Sequence, residues 1–237
     1  MRLYSSLYLL LSFLLFVFSS ISVHASNTSD VFEPANLKDS KSSLQNKIKF
    51  PRKVLRSDVD TNLVVRCDAQ VTRSGKLSLN YCLDKSKKAF PYVVAINNAA
   101  KRATIKPGKV NGRARKTWFQ YYVVFMKKGD KHSVEVMPNS GLEVNRYGFD
   151  YTSAQRYKEG KGNFGVGCGI NKHITVNAVI ETDGTPSEIK VATEDAGKNC
   201  IKYLTKTFMA QKYIPAMVDG VAVRSLYSEQ IFRFLPR

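Results

Sequence analysis

The chain has 237 residues, 43% of them hydrophobic, with 37 lysines and arginines against 19 aspartates and glutamates, a formal charge of +18. Four cysteines without a C-x-x-C, and no histidine at zinc-finger spacing, argue against a structural metal site. Such a charge favours anionic surfaces or acidic partner segments, and the export signal described next argues against nucleic acid as the partner.

Residues 1–25 read as a secretory signal peptide. Arg2 is the only charge, an apolar run from Leu7 to Phe18 follows, and Val23-His24-Ala25 fits a small-residue cleavage site before Ser26. The run is short of the ~20 residues that span a bilayer. Cleavage leaves a periplasmic protein; an uncleaved segment would anchor it in the inner membrane. Either way the remainder lies outside the cytoplasm.

Residues 26–49 are polar, rich in Ser, Asn, Asp and Lys, and without sustained periodicity, which predicts a flexible tether. A first domain is expected over 50–126. Val65, Cys67, Ala69 and Val71 alternate with polar neighbours as in a half-buried strand. Arg73-Ser74-Gly75 suits a three-residue hairpin loop, and Leu77, Leu79, Tyr81 and Leu83 continue into a second strand. Val93, Ile96, Ala99 and Ala100 recur at helical spacing within about 89–103, with Lys101 and Arg102 near the C-terminal end. Pro107 enforces a stop, and Trp118 to Phe125 is strongly β-prone. The connector, 127–161, holds Pro138-Asn139-Ser140-Gly141 between Val134/Val136 and Leu142/Val144, a hairpin signal of its own. Gly160 to Gly169 contains five glycines and predicts an irregular loop.

A second domain is expected over 162–237. Ile174, Val176, Ala178 and Ile180 alternate into Thr182-Asp183-Gly184, and Ile189 and Val191 return. Ile201, Leu204 and Phe208 predict a helix within about 197–212, followed by Pro215, Asp219-Gly220 and a strand over 226–234. These features duplicate the first domain. Pro107, Val110, Asn111 and Gly112 are answered by Pro215, Val218, Asp219 and Gly220 at an offset of 108. The Gly75 and Gly184 turns, and the runs Tyr121–Phe125 and Gln230–Phe234, are offset by 109. A period this long indicates two copies of one small domain and not a solenoid repeat.

Four cysteines permit three complete disulfide pairings. Cys67 and Cys82 flank the Ser74-Gly75 turn almost symmetrically, which favours pairing across the hairpin and leaves Cys168 with Cys200. The parity of the second strand conflicts with that pairing unless a bulge follows the turn.

The second copy resembles the periplasmic C-terminal domain of the TonB family of energy transducers. The residues carrying the likeness are Ala178 to Gly184, Ile189 and Val191, Tyr213-Ile214-Pro215-Ala216, Val218-Asp219-Gly220 and Ile231-Phe232-Arg233-Phe234. The first copy is similar through Phe50-Pro51, Gly75, Pro107, Asn111-Gly112 and Phe125. The resemblance implies an α+β fold of two tandem small domains, each an antiparallel sheet with a helix packed on one face. It also implies binding of an outer-membrane receptor segment, or one from another envelope protein, by β-strand addition at the last strand. The implied partner-binding residues are Gln230, Ile231, Phe232, Arg233 and Phe234, with Tyr121, Tyr122 and Val123 in the first copy.

The family carries a membrane helix and a long Pro-rich spacer. Here about two dozen residues of tether reach at most ~85 Å. Ser20 and His24 have the spacing of the family's membrane-helix Ser/His pair but lie past the apolar run. The leading expectation is therefore a periplasmic adaptor. One alternative is a membrane-anchored transducer subunit, and another is a basic envelope protein held by charge on anionic lipid or wall polymer. No catalytic constellation is recognisable. His132 sits in a charged loop and His173 opens a strand, each without a nucleophile or orienting partner. Glu181 and Asp183 flank a turn, and the glycine-rich stretch lacks the Lys-Ser/Thr ending of a phosphate loop. No enzyme, cofactor or metal is expected.

Overall fold

Apolar alternation broken by Gly and Pro turns gives an α+β protein in which every described strand pair is antiparallel. The computed structural model describes residues 30–158, 174–192 and 197–231. From the N-terminal side come β1 (Phe32–Glu33), α1 (Leu44–Lys47), α2 (Arg52–Leu55), β2 (Thr61–Val71), β3 (Leu77–Cys82) and α3 (Phe90–Ala100). Next are β4 (Lys109–Val110), β5 (Arg113–Ala114), β6 (Thr117–Lys128), β7 (Lys131–Met137) and α4 (Val144–Tyr147). The rest comprises β8 (Gln155–Lys158), β9 (Ile174–Ile180), β10 (Pro186–Ala192), α5 (Lys198–Met209), β11 (Lys212–Ile214), β12 (Ala216–Val218), β13 (Val221–Val223) and β14 (Ser225–Ile231).

The first sheet has the order β3-β2-β6-β7. Alternation sends the odd-numbered residues of its two long strands to one face. Val65, Cys67, Ala69, Phe119, Tyr121, Val123 and Phe125 are fully buried there against Tyr92, Ile96, Ala99 and Ala100 of α3. Pro91 sits in the first turn of α3, where its missing N–H costs nothing. Cys67 stands opposite Cys82 and is disulfide-bonded to it. The register slips by one residue between Gln70 and Val71, a bulge that reconciles the cysteine pairing with the parity of the second strand.

The second sheet has the order β10-β9-β14, so second, first and last strands lie side by side as β3-β2-β6 do. Its hairpin also slips by one residue, between Ser187 and Lys190. Leu204 and Phe208 of α5 bury against Ile174, Val176, Ala178, Ile180 and Tyr227. The turn glycines are equivalent in detail. Gly75 and Gly184 both have positive φ, and a Cβ on either would lie 2.2 Å from the Ile105 carbonyl oxygen or 2.1 Å from that of Tyr213. In turn the Ile105 N–H donates to Gly75 C=O (2.9 Å), and Tyr213 N–H to Gly184 C=O (3.2 Å). Left-handed Asn111-Gly112 and Asp219-Gly220 close the small hairpins β4–β5 and β12–β13. Cys200 is disulfide-bonded, and Cys168, its expected partner, lies outside the described residues, as do the signal peptide, the glycine-rich loop and His173.

Two expectations about organisation are corrected. Residues 30–49 are not a tether. Leu44 and Ile48 are buried in the first core, worth about 1.5–3 kcal/mol each, and β1 pairs with β4. The Gln155 side chain grips Ala35 at both ends, its Oε1 accepting from the N–H (2.8 Å) and its Nε2 donating to the C=O (2.7 Å). A segment too polar to fold alone is ordered by a surface already formed. The pairing of Asn36 with Lys106 in the first unit matches that of β8 with β11 in the second, so each unit begins with a strand that the sequence pattern does not reveal. The hairpin in the connector is also placed differently: β7 folds back onto β6 through Gly129, and Val144 enters α4 instead of a strand.

Candidate functional site at the sheet edges

Strand addition requires a strand whose outer N–H and C=O groups have no partner. In the first unit the last strand is β6, and β7 occupies its outer side from Tyr122 to Lys128. Tyr122 and Val123 are thus paired on both sides, to β2 and to β7, and Tyr121 pairs with Cys67 just past the end of β7. All three side chains are buried. The expectation of a binding edge at Tyr122 and Val123 is overturned by the extra strand that the β-prone connector supplies.

In the second unit β14 is the outer strand of its sheet, with Gln230 and Ile231 paired to Thr175 and Ile174. Phe232, Arg233 and Phe234 lie outside the described residues. Part of the outer edge is already occupied by side chains. The Leu226 N–H donates to Glu143 Oε2 (2.8 Å). Ser228 C=O accepts from both Arg66 (2.9 Å) and Gln120 Nε2 (2.8 Å). Tyr147 Oη donates to Arg224 C=O (2.6 Å). The edge expected to receive a partner therefore receives side chains from outside its own sheet over Arg224–Ser228.

Those capping groups belong to a buried polar seam between the units. Arg156 at the start of β8 makes a two-pronged ion pair with Glu229 of β14 (2.7 and 3.2 Å), and its guanidinium lies 5.3 Å from the Trp118 ring centroid. Burial works against the charged guanidinium, but the charge and hydrogen bonds of Glu229 together with the Tyr227 and Tyr213 hydroxyls hold the Arg156 pKa above its ordinary value. Tyr227 Oη donates to the same carboxylate (2.9 Å). Burial pushes the Asp68 carboxyl up to about 6 against the opposing pull of Arg66, with Glu229 adding repulsion and the Tyr81 hydroxyl bonding it. Burial likewise lifts the Tyr213 and Tyr227 hydroxyls well above their ordinary value. Sequence reasoning missed this seam. Its signal was present: Arg66, Asp68 and Gln70 alternate on β2, and Trp118 and Gln120 on β6, a polar face too rich in hydrogen-bonding groups for an ordinary solvated one.

Of the other outer strands, β7 has Val134 C=O and Val136 N–H bonded by the Gln45 side chain (2.8 Å each), while β3 and β10, the second strand of each unit, have no strand on their outer side among the described residues. Because Leu83 N–H donates to Arg66 C=O, the even residues of β2 face β3, and the backbone groups of Asn80 and Cys82 point outward. β3 carries no charge, and its Leu79 is 54% exposed. β10 instead carries Glu188 and Lys190 at its bulge, with Glu188 bound by Arg224. Charge and a bulge are ordinary defences of a free edge. β3 has the bulge without the charge.

His132 packs its ring 5.5 Å from that of Phe50. Among the described residues no cluster of His, Cys, Asp or Glu has metal-binding geometry, and no helix is long and apolar enough to cross a membrane. Compared with known proteins, the chain matches no family model, no curated protein and no solved structure.

Proposed function

We propose that the chain is an exported, non-enzymatic adaptor, similar in plan to the TonB C-terminal domain, that takes an extended segment of an envelope protein as an added strand. The observation that carries this reading is the state of β3: an uncharged edge strand with an exposed leucine and outward backbone groups at Asn80 and Cys82. Backbone hydrogen bonds supply affinity in this mode, and alternate side chains supply selection. The capped β14, the Gln45-bonded β7 and the charged β10 are poorer platforms, which favours a site away from the last strands. The Cys67–Cys82 disulfide at the end of β3 suits an oxidising compartment such as the periplasm.

The test is photo-crosslinking in intact cells from position 79 and, separately, from position 231, with amide exchange of the captured complex. The reading expects one defined extended segment attached at position 79, and protection of the Asn80 and Cys82 amides. Ser78→Lys, which charges the edge beside the crosslinker, should cut that capture at least tenfold. Capture from position 231 alone would return the site to β14 and remove β3 from consideration.

A further inference from the structure

The end of the first unit remote from the seam gathers positive charge. Lys128 and Lys131 stand directly opposite each other where β6 turns into β7, a like-charge pair that is unfavourable unless an anion accompanies it. Lys127, beside them, is only 7% exposed and is held by main-chain oxygens, Ser57 C=O at 2.6 Å and Val59 C=O at 3.5 Å, with no carboxylate. Those bonds, together with Gly129 N–H donating to Asp60 (2.9 Å), tie the hairpin to the segment that carries α2. Lys49, Arg52, Lys53 and Arg56 on and beside α2 are exposed. The result is seven cations against Asp58, Asp60 and Asp130, and among the described residues none of the seven forms an ion pair.

A shallow cavity of about 560 Å³ opens within this cluster, lined among others by Asn62, Met126, Lys128, Lys131, His132 and Ser133. Its floor is apolar. Met126 is 41% exposed and pairs with Asn62; one rung along the same face, Val64, 54% exposed, pairs with Val124. Cations at a rim and an uncovered aliphatic strip leading from it are complementary to an amphiphile with an anionic head.

We propose that this end of the first unit binds the phosphate headgroup of an anionic lipid, with Lys128 and Lys131 meeting the phosphate and Met126 and Val64 meeting the first methylenes of the chain. The cations of α2 lie beside the hairpin and add attraction to the surrounding lipid surface, which decays over about 10 Å at 0.1 M salt. This gives a location to the charge-driven reading of the sequence. It stands apart from strand addition at β3, so either can fail without the other.

The experiment is co-sedimentation of the mature protein with phosphatidylcholine vesicles, with and without phosphatidylglycerol, with glycerol phosphate as soluble competitor. Binding is expected only with phosphatidylglycerol. Lys128→Ala/Lys131→Ala should lower the partition coefficient tenfold or more, and Arg52→Ala/Arg56→Ala, on a separate element, should lower it independently. Val64→Ser/Met126→Ser should weaken binding at unchanged charge, and glycerol phosphate should compete poorly because it lacks the chains. Equal binding to pure phosphatidylcholine, indifference to both charge variants, or full competition by glycerol phosphate would each overturn the proposal. Unchanged melting of the variants separates lost binding from lost folding.

Discussion

In the first unit the outer side of the last strand is paired by β7 along Tyr122–Lys128, whereas in the second the same side of β14 meets side chains, Glu143 at Leu226 and Arg66 with Gln120 at Ser228. The cores beneath are closely alike, with the same strand order, the same bulged hairpin and the same close approach behind the turn glycine. What differs is how backbone polarity at the edge is satisfied. A repeated pattern of apolar and turn residues specifies a core twice, but an edge depends on whatever chain lies beside it.

The seam gives the largest expected effect. Arg156→Ala leaves Glu229 buried without its cation, and breaking such a pair typically costs about 3–5 kcal/mol. If the seam couples the units, denaturant unfolding stays a single transition and amides in both β2 and β9 lose protection. Loss confined to β9 would show that the units stand independently. Replacing the pair together, Arg156→Met with Glu229→Leu, should cost less than the single change, because no charge is stranded.

Equivalence of the units is sharpened at the turns. Gly75→Ala and Gly184→Ala each force a Cβ against a backbone oxygen at positive φ, for a combined cost of roughly 2–5 kcal/mol. Gly112→Ala, with positive φ but open space around it, should cost only about 1–2 kcal/mol. Thermal melts of the three variants check the ranking. Unequal costs at Gly75 and Gly184 would break the structural equivalence.

A smaller effect belongs to Asp68, whose counterpart on β9, at the same offset of 109, is Asn177. Its folded-state carboxyl holds a proton up to about pH 6, above the ordinary value of 3.8. The folded state therefore binds more proton than the unfolded chain between those values, and stability falls as pH rises through that window. Asp68→Asn should flatten this slope and add on the order of 1–3 kcal/mol above pH 6. A slope that Asn leaves unchanged would place the titration elsewhere.

The strand–turn–strand–helix–strand order, the Gly75 and Gly184 turns, the small hairpins at Asn111-Gly112 and Asp219-Gly220, and the Cys67–Cys82 pairing were legible in the sequence. Each rests on local chemistry: period-two alternation, glycine's access to positive φ, and the reach of a cross-strand disulfide. The site was far less legible. Ala35 looks like tether because its order comes from Gln155, a long way along the chain. Tyr122 looks like an edge because β7 follows a turn whose partner could not be read locally. Glu143, Arg66 and Gln120 look like surface residues because the strand they cap belongs to the other unit. The sequence by itself determined two cores and their turns, since neighbours a few residues apart decide those. Only the tertiary structure decided which edges are closed, which stay open and where charge lies buried, because those depend on desolvation and hydrogen bonding between groups far apart in the chain.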